Sequence, residues 1–151
     1  MERTLIIVKP DAVHRNLIGR ILARFEDKGL RIVGMKLQQS ARTQVEKHYE
    51  VHKARPFYGP LVDFMTSGPV VVAVLEGPGA IGVVRTMLGA TNGAEAAPGT
   101  IRGDFGLDKQ YNLVHASDGP DTARFEIELF FKPEELVSYA RAADRWVVSA
   151  K

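Results

Sequence analysis

The segment 70–75, which is Val-Val-Val-Ala-Val-Leu, is the most apolar run in the chain and constrains its fold most strongly. A short run of β-branched and aliphatic residues without a polar break predicts a buried central strand. A second apolar run, residues 5–8, is closed by Lys9-Pro10-Asp11, which predicts another buried strand that ends in a turn. We therefore expect a sheet built around these two segments.

Helical and strand periodicities alternate along the rest of the chain. Strands are predicted at 5–8, 33–37, 70–75 and 113–115, and a glycine- and alanine-rich loop at 90–99. Helices are predicted from Ile18 to just before Gly29, from a cap at Ser40 to about His52, around 61–65, over 80–88, from a cap at Asp121 through Leu129, and from Pro133 onward. Four strands interleaved with helices favour the α+β class: a ferredoxin-like sandwich, with a four-stranded antiparallel sheet (βαββαβ) and helices on its faces. Because no linker divides the chain, we expect one domain over residues 1–151.

Composition excludes several classes of protein. The chain has 151 residues and no cysteine, which excludes a disulfide scaffold and a cysteine-based metal site. No segment is apolar enough to span a bilayer, and residues 1–4 lack the pattern of a signal peptide, so we expect a cytoplasmic protein with no membrane partner. The net charge is +2 and basic residues are spread among acidic ones, so we expect no dedicated nucleic-acid site. Any anion must then bind in a local pocket.

One glycine motif matches the sequence pattern of a dinucleotide-binding site. Residues 77–82, Gly-Pro-Gly-Ala-Ile-Gly, match the G-x-G-x-x-G pattern between a predicted strand and a predicted helix. A dinucleotide site also needs a βαβ unit whose second strand ends in an acidic residue, whereas here the helix leads into a glycine-rich loop. We interpret the motif as a structural turn. No P-loop pattern occurs in the chain.

The histidines differ in their surroundings. His48 and His52 are four residues apart on a predicted helix, but Tyr49 stands where a zinc protease needs glutamate, so this pair is interpreted as a solvated helix face. His14 lies in a polar turn without an obvious partner. His115 ends an apolar strand, a place where a lone histidine is more often structural than catalytic.

The polar and basic residues expected near His115 indicate phosphate chemistry. Thr100, Arg102 and Asn112 lie nearby in the chain, Arg85 lies on the predicted helix after the central strand, and Lys9 lies at the end of the first predicted strand. Each could be an ordinary surface residue, but together they offer bidentate and point charges for phosphate oxygens and hydrogen bonds for phosphate or ribose. A neutral imidazole attacks phosphorus without first losing a proton and forms a labile phosphoramidate. The set therefore predicts phosphoryl transfer through a phosphohistidine.

Six ordered motifs resemble the nucleoside diphosphate kinase family from about residue 3 to about residue 147. They are Lys9-Pro10-Asp11-Ala12-Val13, Arg55-Pro56-Phe57, Ser67-Gly68-Pro69-Val70, Met87-Leu88-Gly89-Ala90-Thr91-Asn92, Pro98-Gly99-Thr100-Ile101-Arg102-Gly103-Asp104-Phe105 and Asn112-Leu113-Val114-His115-Ala116-Ser117-Asp118. The resemblance implies ping-pong transfer of the terminal phosphoryl group from a nucleoside triphosphate, such as ATP, to a nucleoside diphosphate. It also implies Mg²⁺ carried by the nucleotide phosphates rather than by protein ligands.

The resemblance also implies roles for individual residues. His115 is expected to be the nucleophile, and Glu126 to hydrogen-bond the far nitrogen of its ring. Substrate binding is expected from Lys9, Tyr49, Phe57, Arg85, Thr91, Arg102 and Asn112. Arg85, Thr91 and Arg102 are expected on phosphates, Lys9 and Asn112 on sugar hydroxyls, and Phe57 stacked on the base. Lys9 is also expected near the transferred group, as a catalytic residue. Tyr49 and Ser117 are expected to support the site. Taken singly, Phe57 or Tyr49 could be core packing and Glu126 an ordinary first-turn acid.

Three departures from the family pattern are visible. Gly93 stands where most members have proline, Ala116 replaces a commoner glycine, and Lys109-Gln110-Tyr111 replaces a stretch that more often contains Gly-Arg, at the edge of the expected nucleotide pocket. Members form hexamers or tetramers, and the long C-terminal segment 144–151 with its tryptophan favours a homohexamer. Two other functions stay open on the residues alone: a nucleotide- or dinucleotide-binding module without turnover, and a nucleic-acid-binding protein.

Overall fold

The computed structural model describes residues 1–150, and its sheet has four strands. They are β1 (Glu2–Val8), β2 (Arg31–Gln38), β3 (Val70–Gly77) and β4 (Val114–Ala116). Their order across the sheet is β2-β3-β1-β4, and every neighbouring pair is antiparallel. This is the strand order and direction of a ferredoxin-like sheet, so the predicted fold class is confirmed.

Seven α-helices join and cover the strands in the described part of the chain. They are α1 (Pro10–His14), α2 (Ile18–Lys28), α3 (Arg42–His48), α4 (Tyr58–Met65), α5 (Ala80–Leu88), α6 (Ile101–Phe105) and α7 (Pro120–Phe130). Three 3₁₀ turns lie at Glu50–His52, Pro133–Glu135 and Asp144–Trp146. Within residues 1–150, none of the helices combines the length and the apolar character that crossing a bilayer requires.

The core lies on both faces of the sheet because side chains alternate along each strand. On one face, Ile6 and Val8 of β1 pack with apolar residues of α2 and α5. On the other face, Leu5 and Ile7 pack with residues of α3, α4 and α7. The segment 70–75 is buried throughout, as its composition predicts. Helices therefore cover both faces of the sheet, and we expect a polar functional site at an end or an edge of the sheet.

Two predicted helix starts, one predicted helix end and one predicted helix differ from the structure. Ser40 caps no helix, since its hydroxyl oxygen accepts a hydrogen bond from Gln38 Nε2 (3.0 Å) and α3 begins two residues later. The same helix stops at His48, and the chain tightens into the 3₁₀ turn that follows. The segment from Pro133 forms only a 3₁₀ turn, and α7 begins at Pro120, whose fixed φ suits the first helical position, rather than after a cap at Asp121.

The glycine motif 77–82 forms a structural turn, which agrees with the prediction. Gly79 adopts φ +59°, in the left-handed region that favours glycine, and serves as the N-cap of α5. The carboxylate of Glu2 accepts a hydrogen bond from the backbone N–H of Ile81 at 2.8 Å. An acidic side chain therefore occupies the helix start that a dinucleotide site would offer to a pyrophosphate.

Candidate active site

His115 lies at the middle of β4, the short edge strand, opposite Ile7 of β1. Its side chain is partly exposed, and its Nε2 lies 2.7 Å from a carboxylate oxygen of Glu126. Within residues 1–150, no hydrogen bond involves Nδ1, the other ring nitrogen. Burial lowers the pKa of His115 to about 4, although the hydrogen bond and charge of Glu126 act in the opposite direction. The imidazole is therefore neutral at physiological pH, with Nε2–H donated to Glu126 and a lone pair on Nδ1.

Glu126, on α7, is the hub of a buried hydrogen-bond network. It accepts from Ser117 Oγ at 2.6 Å, from His115 Nε2, and from His48 Nε2. Burial alone would raise the pKa of Glu126, but the hydrogen bonds from His115 and His48 outweigh burial and lower it. Glu126 therefore stays ionised and fixes the tautomer of His115, as the resemblance implies.

His48 was expected on a solvated helix face, and that expectation is wrong. The residue is buried, hydrogen-bonds to Glu126, and packs edge-on against His115, with ring centroids 4.8 Å apart. His52 does not share this face because α3 ends before it; its ring instead lies 5.2 Å from that of Phe57. One signal in the sequence was available: His48 follows the buried Val45 by three residues, so both lie on one side of α3.

The side chains of His48, His115 and Glu126 bring three potential metal-ligand atoms within 4.8 Å of one another. These atoms already satisfy one another by hydrogen bonds. Two imidazole nitrogens are also a poor match for Mg²⁺, which takes oxygen ligands. The trio is therefore explained as the support of His115.

Lys9 sits where β1 leads into α1, and it is almost fully buried. Its ammonium donates to the side-chain oxygen of Asn112 at 2.7 Å. The amide of Asn112 in turn donates to the carbonyl of Thr91 at 3.0 Å, which ties three of the predicted binding residues together. Burial lowers the pKa of Lys9 to about 8, and the charge of Arg102 acts in the same direction.

Arg102, on α6, is also buried, and all its hydrogen bonds in the described residues go to backbone carbonyls. It donates to the carbonyls of Asn112 (3.2 Å), Gly89 (3.2 Å) and Val114 (2.7 Å). It thereby braces the strand that carries His115. Burial lowers the pKa of Arg102 to about 10, with a further contribution from the charge of Arg85. The guanidinium is still protonated at neutral pH.

Arg85 projects from α5 and donates to the carbonyl of Ala116 at 3.1 Å. Among residues 1–150, neither Lys9, Arg85 nor Arg102 has a carboxylate within 4.0 Å. The charge of Asp11 offsets part of the repulsion at Lys9, but by less than the charge of Arg102 adds to it. Cations whose repulsion is only partly offset are costly to hold together unless an anion joins them. The positive charges of Lys9, Arg85 and Arg102 therefore favour the binding of a phosphate group.

Two cavities flank these cations. One, of about 520 Å³, is lined by His115 and by Arg85, Tyr49, His48, His52 and Asp118 among others. The second, of about 580 Å³, is lined by Lys9, Phe57, Pro60, Leu61, Thr91, Asp108, Lys109, Gln110 and Asn112. Arg102 is not among the lining residues of either cavity. Lys109 and Gln110 were expected at the edge of the nucleotide pocket, and both line the second cavity. The sequence motifs did not identify Asp108 in this wall or the role of His48.

Ser117 and Tyr49, which the resemblance assigns to support of the site, are both buried. Ser117 is fully buried, and in addition to its bond to Glu126 it accepts from the backbone N–H of Leu5 at 3.3 Å. Tyr49 packs perpendicular to His115, with ring centroids 6.2 Å apart. Burial, and then the charge of Glu126, raise the pKa of Tyr49, so its phenol is neutral. Phe57, by contrast, is half exposed and lines the second cavity, with the ring of His52 beside it.

Comparison with known proteins relates the whole chain to one group. Residues 2–136 match the family model described as nucleoside diphosphate kinase. The nucleoside diphosphate kinase of Pyrococcus horikoshii is 60% identical over 146 residues, with 95% of this chain and 93% of that protein covered. That of Archaeoglobus fulgidus is 56% identical over 147 residues, with 97% of each covered. A solved structure of the Halobacterium salinarum enzyme in complex with CDP superposes with a TM-score of 0.96 at 48% identity, and covers 98% of this chain and 99% of that one.

Proposed function

The chain belongs to the nucleoside diphosphate kinase family, and from that premise we propose that it carries a phosphoryl group between two nucleotides on Nδ1 of His115. The family resemblance and the phosphotransferase class predicted from the sequence are confirmed by the comparisons. In the first half-reaction, Nδ1 forms a bond to the γ-phosphorus of a triphosphate. The bond from that phosphorus to the bridging oxygen breaks, and its electron pair leaves with the diphosphate. The second half-reaction reverses these steps with a different diphosphate.

The observation that carries this proposal is the state of His115. Its Nε2 is held by the ionised Glu126, and its low pKa keeps the ring neutral, so Nδ1 offers a lone pair without prior deprotonation. When the nitrogen–phosphorus bond forms, the ring becomes cationic, and the adjacent carboxylate stabilises that charge. Ser117 and His48 hold the carboxylate in place.

The cations and the second cavity supply positioning. Phosphoryl transfer depends mainly on alignment and on charge stabilisation at the phosphorus oxygens. Arg85, Arg102 and Thr91 are proposed to serve the phosphates, and Lys9 and Asn112 the sugar hydroxyls. Phe57 offers an exposed aromatic face on which a base can stack. Cytidine nucleotides are included among the proposed substrates, by analogy with the CDP complex of the Halobacterium salinarum enzyme.

Kinases of this family bind nucleotides and generally need a divalent cation. For this chain the proposed ion is Mg²⁺, entering as part of the nucleotide substrate on its phosphate oxygens. The carboxylates of Asp118 and Asp121 line the cavity of His115, where they could interact with a hydrated ion. A cytoplasmic location remains a prediction.

A homohexamer, preferred over a tetramer, and a single domain over residues 1–151 also belong to the proposal. Two features of residues 1–150 support assembly. The edge strand β2 exposes Met35 and Leu37, and Trp146 is 79% exposed near the end of the chain. Long apolar edges and exposed tryptophans are costly unless a partner covers them.

The direct test incubates the purified protein with ATP labelled at the γ-phosphate. We expect an acid-labile, base-stable label, its transfer to a diphosphate of another base, and loss of both in His115→Ala. His14→Ala is the matched control, because His14 is exposed and outside the site. A label retained in His115→Ala would assign the nucleophile to another residue.

A further inference from the structure

The cavity that holds Phe57 has two chemically different ends. Its inner end is formed by Lys9, Asn112 and Thr91, which hydrogen-bond to one another. Its outer end has an apolar side, with Phe57 and Leu61, and a polar side at residues 108–110. A nucleotide whose phosphates reach His115 and whose sugar meets the inner end would place its base between these two sides.

The polar side is a fixed element. The carboxylate of Asp108 accepts hydrogen bonds from the backbone N–H groups of Gln110 and Tyr111, each at 3.0 Å. The carbonyl of Asp108 accepts from the N–H of Gly93 at 3.1 Å. The ring of Tyr111 packs on that of Phe64, with centroids 5.1 Å apart. These contacts hold the backbone of 108–111.

Lys109 is the cation of this outer end. Its side chain lines the cavity, and no carboxylate of residues 1–150 lies within 4.0 Å of its ammonium. An ammonium group donates hydrogen bonds and accepts none. Gln110, next to it, both donates and accepts, so it favours no particular base. Asp108 is the other charged group on this side, but its Oδ2 already accepts the backbone N–H groups of Gln110 and Tyr111. Lys109 is therefore the charged group left here to discriminate.

We propose that Lys109 makes this enzyme prefer bases that present a carbonyl oxygen at the cavity's outer end, guanine above all, over bases that present an amino group. Guanine offers O6 and N7 as adjacent acceptors, whereas adenine pairs N7 with an amino donor. Uracil and cytosine differ in the same way at position 4, O4 against an amino group. The inference rests on the proposed function, because it assumes that a nucleotide occupies this cavity with its base outermost.

The size of the preference follows from exposure. Lys109 is exposed, so water competes for its ammonium and salt screens its charge. Contacts of exposed charges typically contribute about 0.2–1 kcal/mol, which corresponds to a preference of roughly 1.5- to 5-fold. We expect a bias in substrate choice rather than exclusion of the disfavoured bases.

The test measures kcat/KM for discharge of the phosphorylated enzyme by GDP, ADP, UDP and CDP. In the wild type, GDP should exceed ADP and UDP should exceed CDP, and Lys109→Met should reduce both ratios roughly 1.5- to 5-fold. The UDP and CDP pair matters because the two rings stack over similar areas and differ mainly in the acceptor. Lys28→Met, at the exposed end of α2, is the matched control and should leave both ratios unchanged.

Equilibrium binding of the four diphosphates to the unphosphorylated protein provides a readout that needs no turnover. The preference should appear there too, and should weaken as salt is raised. Ratios that are equal in the wild type and Lys109→Met, or a change confined to the purine pair, would overturn the role of Lys109 while leaving phosphoryl transfer intact. A wild type that transfers no phosphoryl group from any triphosphate would instead refute the proposed function.

Discussion

Replacement of Glu126 by glutamine tests the hydrogen-bond network beneath His115. Glutamine keeps the size of the side chain but removes its charge and turns one acceptor oxygen into an amino donor. Glu126 receives hydrogen bonds from Ser117, His115 and His48, and it is only 2% exposed, so water cannot replace a lost partner. The amide group can face Ser117 only if that hydroxyl turns from donor to acceptor, and if it faces the histidines it meets their N–H donors.

The magnitude follows from the number of bonds lost. A hydrogen bond to a charged group contributes about 1.5–3 kcal/mol, and a buried donor left unpaired costs a comparable amount. Glutamine carries no charge and keeps one acceptor oxygen, so all three bonds weaken even if Ser117 reverses its direction. The free energy of unfolding of the variant should therefore be lower by about 2–5 kcal/mol. The ring of His115 also loses its orientation, so phosphorylation by ATP should slow by roughly tenfold to 100-fold.

The assays are urea unfolding at several pH values and single-turnover phosphorylation. The pKa of Glu126 is lower in the folded protein than in the unfolded chain, so its contribution is present above the unfolded pKa of about 4.3 and is lost as pH falls through the folded value. The stability gap between the wild type and Glu126→Gln should therefore narrow below pH 4.3. Glu128→Gln, exposed on the same helix, is the control. Equal stabilities at pH 7, or a gap that widens on acidification, would refute the network as described.

Two further predictions concern stability. The pKa of His115 is about 4 in the folded protein and about 6.5 in the unfolded chain, so the unfolded chain binds a proton first as the pH falls. Between pH 7 and 4 the free energy of unfolding of the wild type should therefore drop by about 3 kcal/mol more than that of His115→Asn, measured by urea unfolding. Parallel pH profiles of the two proteins would contradict this. A Cβ at Gly103 would lie 1.9 Å from the backbone oxygen of Ala97, whereas one at Gly82, inside α5, meets nothing within 4 Å. Gly103→Ala should therefore lower the melting temperature. Gly82→Ala should raise it, with a gain of about 0.5–1 kcal/mol in the free energy of unfolding. If the two variants change in the opposite directions, these contacts do not control stability.

The central strands could be predicted because their sequences leave no alternative. Residues 70–75 and 5–8 are continuous apolar runs of strand length, and both are buried in the sheet. The expected site residues came from the resemblance of six motifs to one family, and the fold places the segments containing Lys9, Asn112 and His115 side by side. That arrangement follows from β4 pairing beside β1, which the order of elements permits but does not require.

The helices α1 and α6 were not predicted, because each is only five residues long. Isolated helices of this length are unstable, so local patterns carry little signal for them. In α6 the hydroxyl of Thr100 caps the N–H of Gly103 at 3.0 Å, and Ile101 is fully buried. Glycine in the middle of the segment favours a turn on propensity, and tertiary packing overrides that preference. The helix then presents Arg102 to the backbone of the strand that carries His115.

His48 marks the limit of local reasoning most clearly. A histidine on a helix is usually solvated, and only its spacing from Val45 indicates an inward face. Even that spacing would not identify a partner, because a buried imidazole needs a hydrogen bond that the local sequence cannot name. The partner is Glu126, 78 residues away, and the two meet because α3 and α7 cover the same face of the sheet. The position of His48 beside the carboxylate behind His115 is thus determined by topology. The motifs therefore pointed to His115 and Glu126 but not to this second histidine.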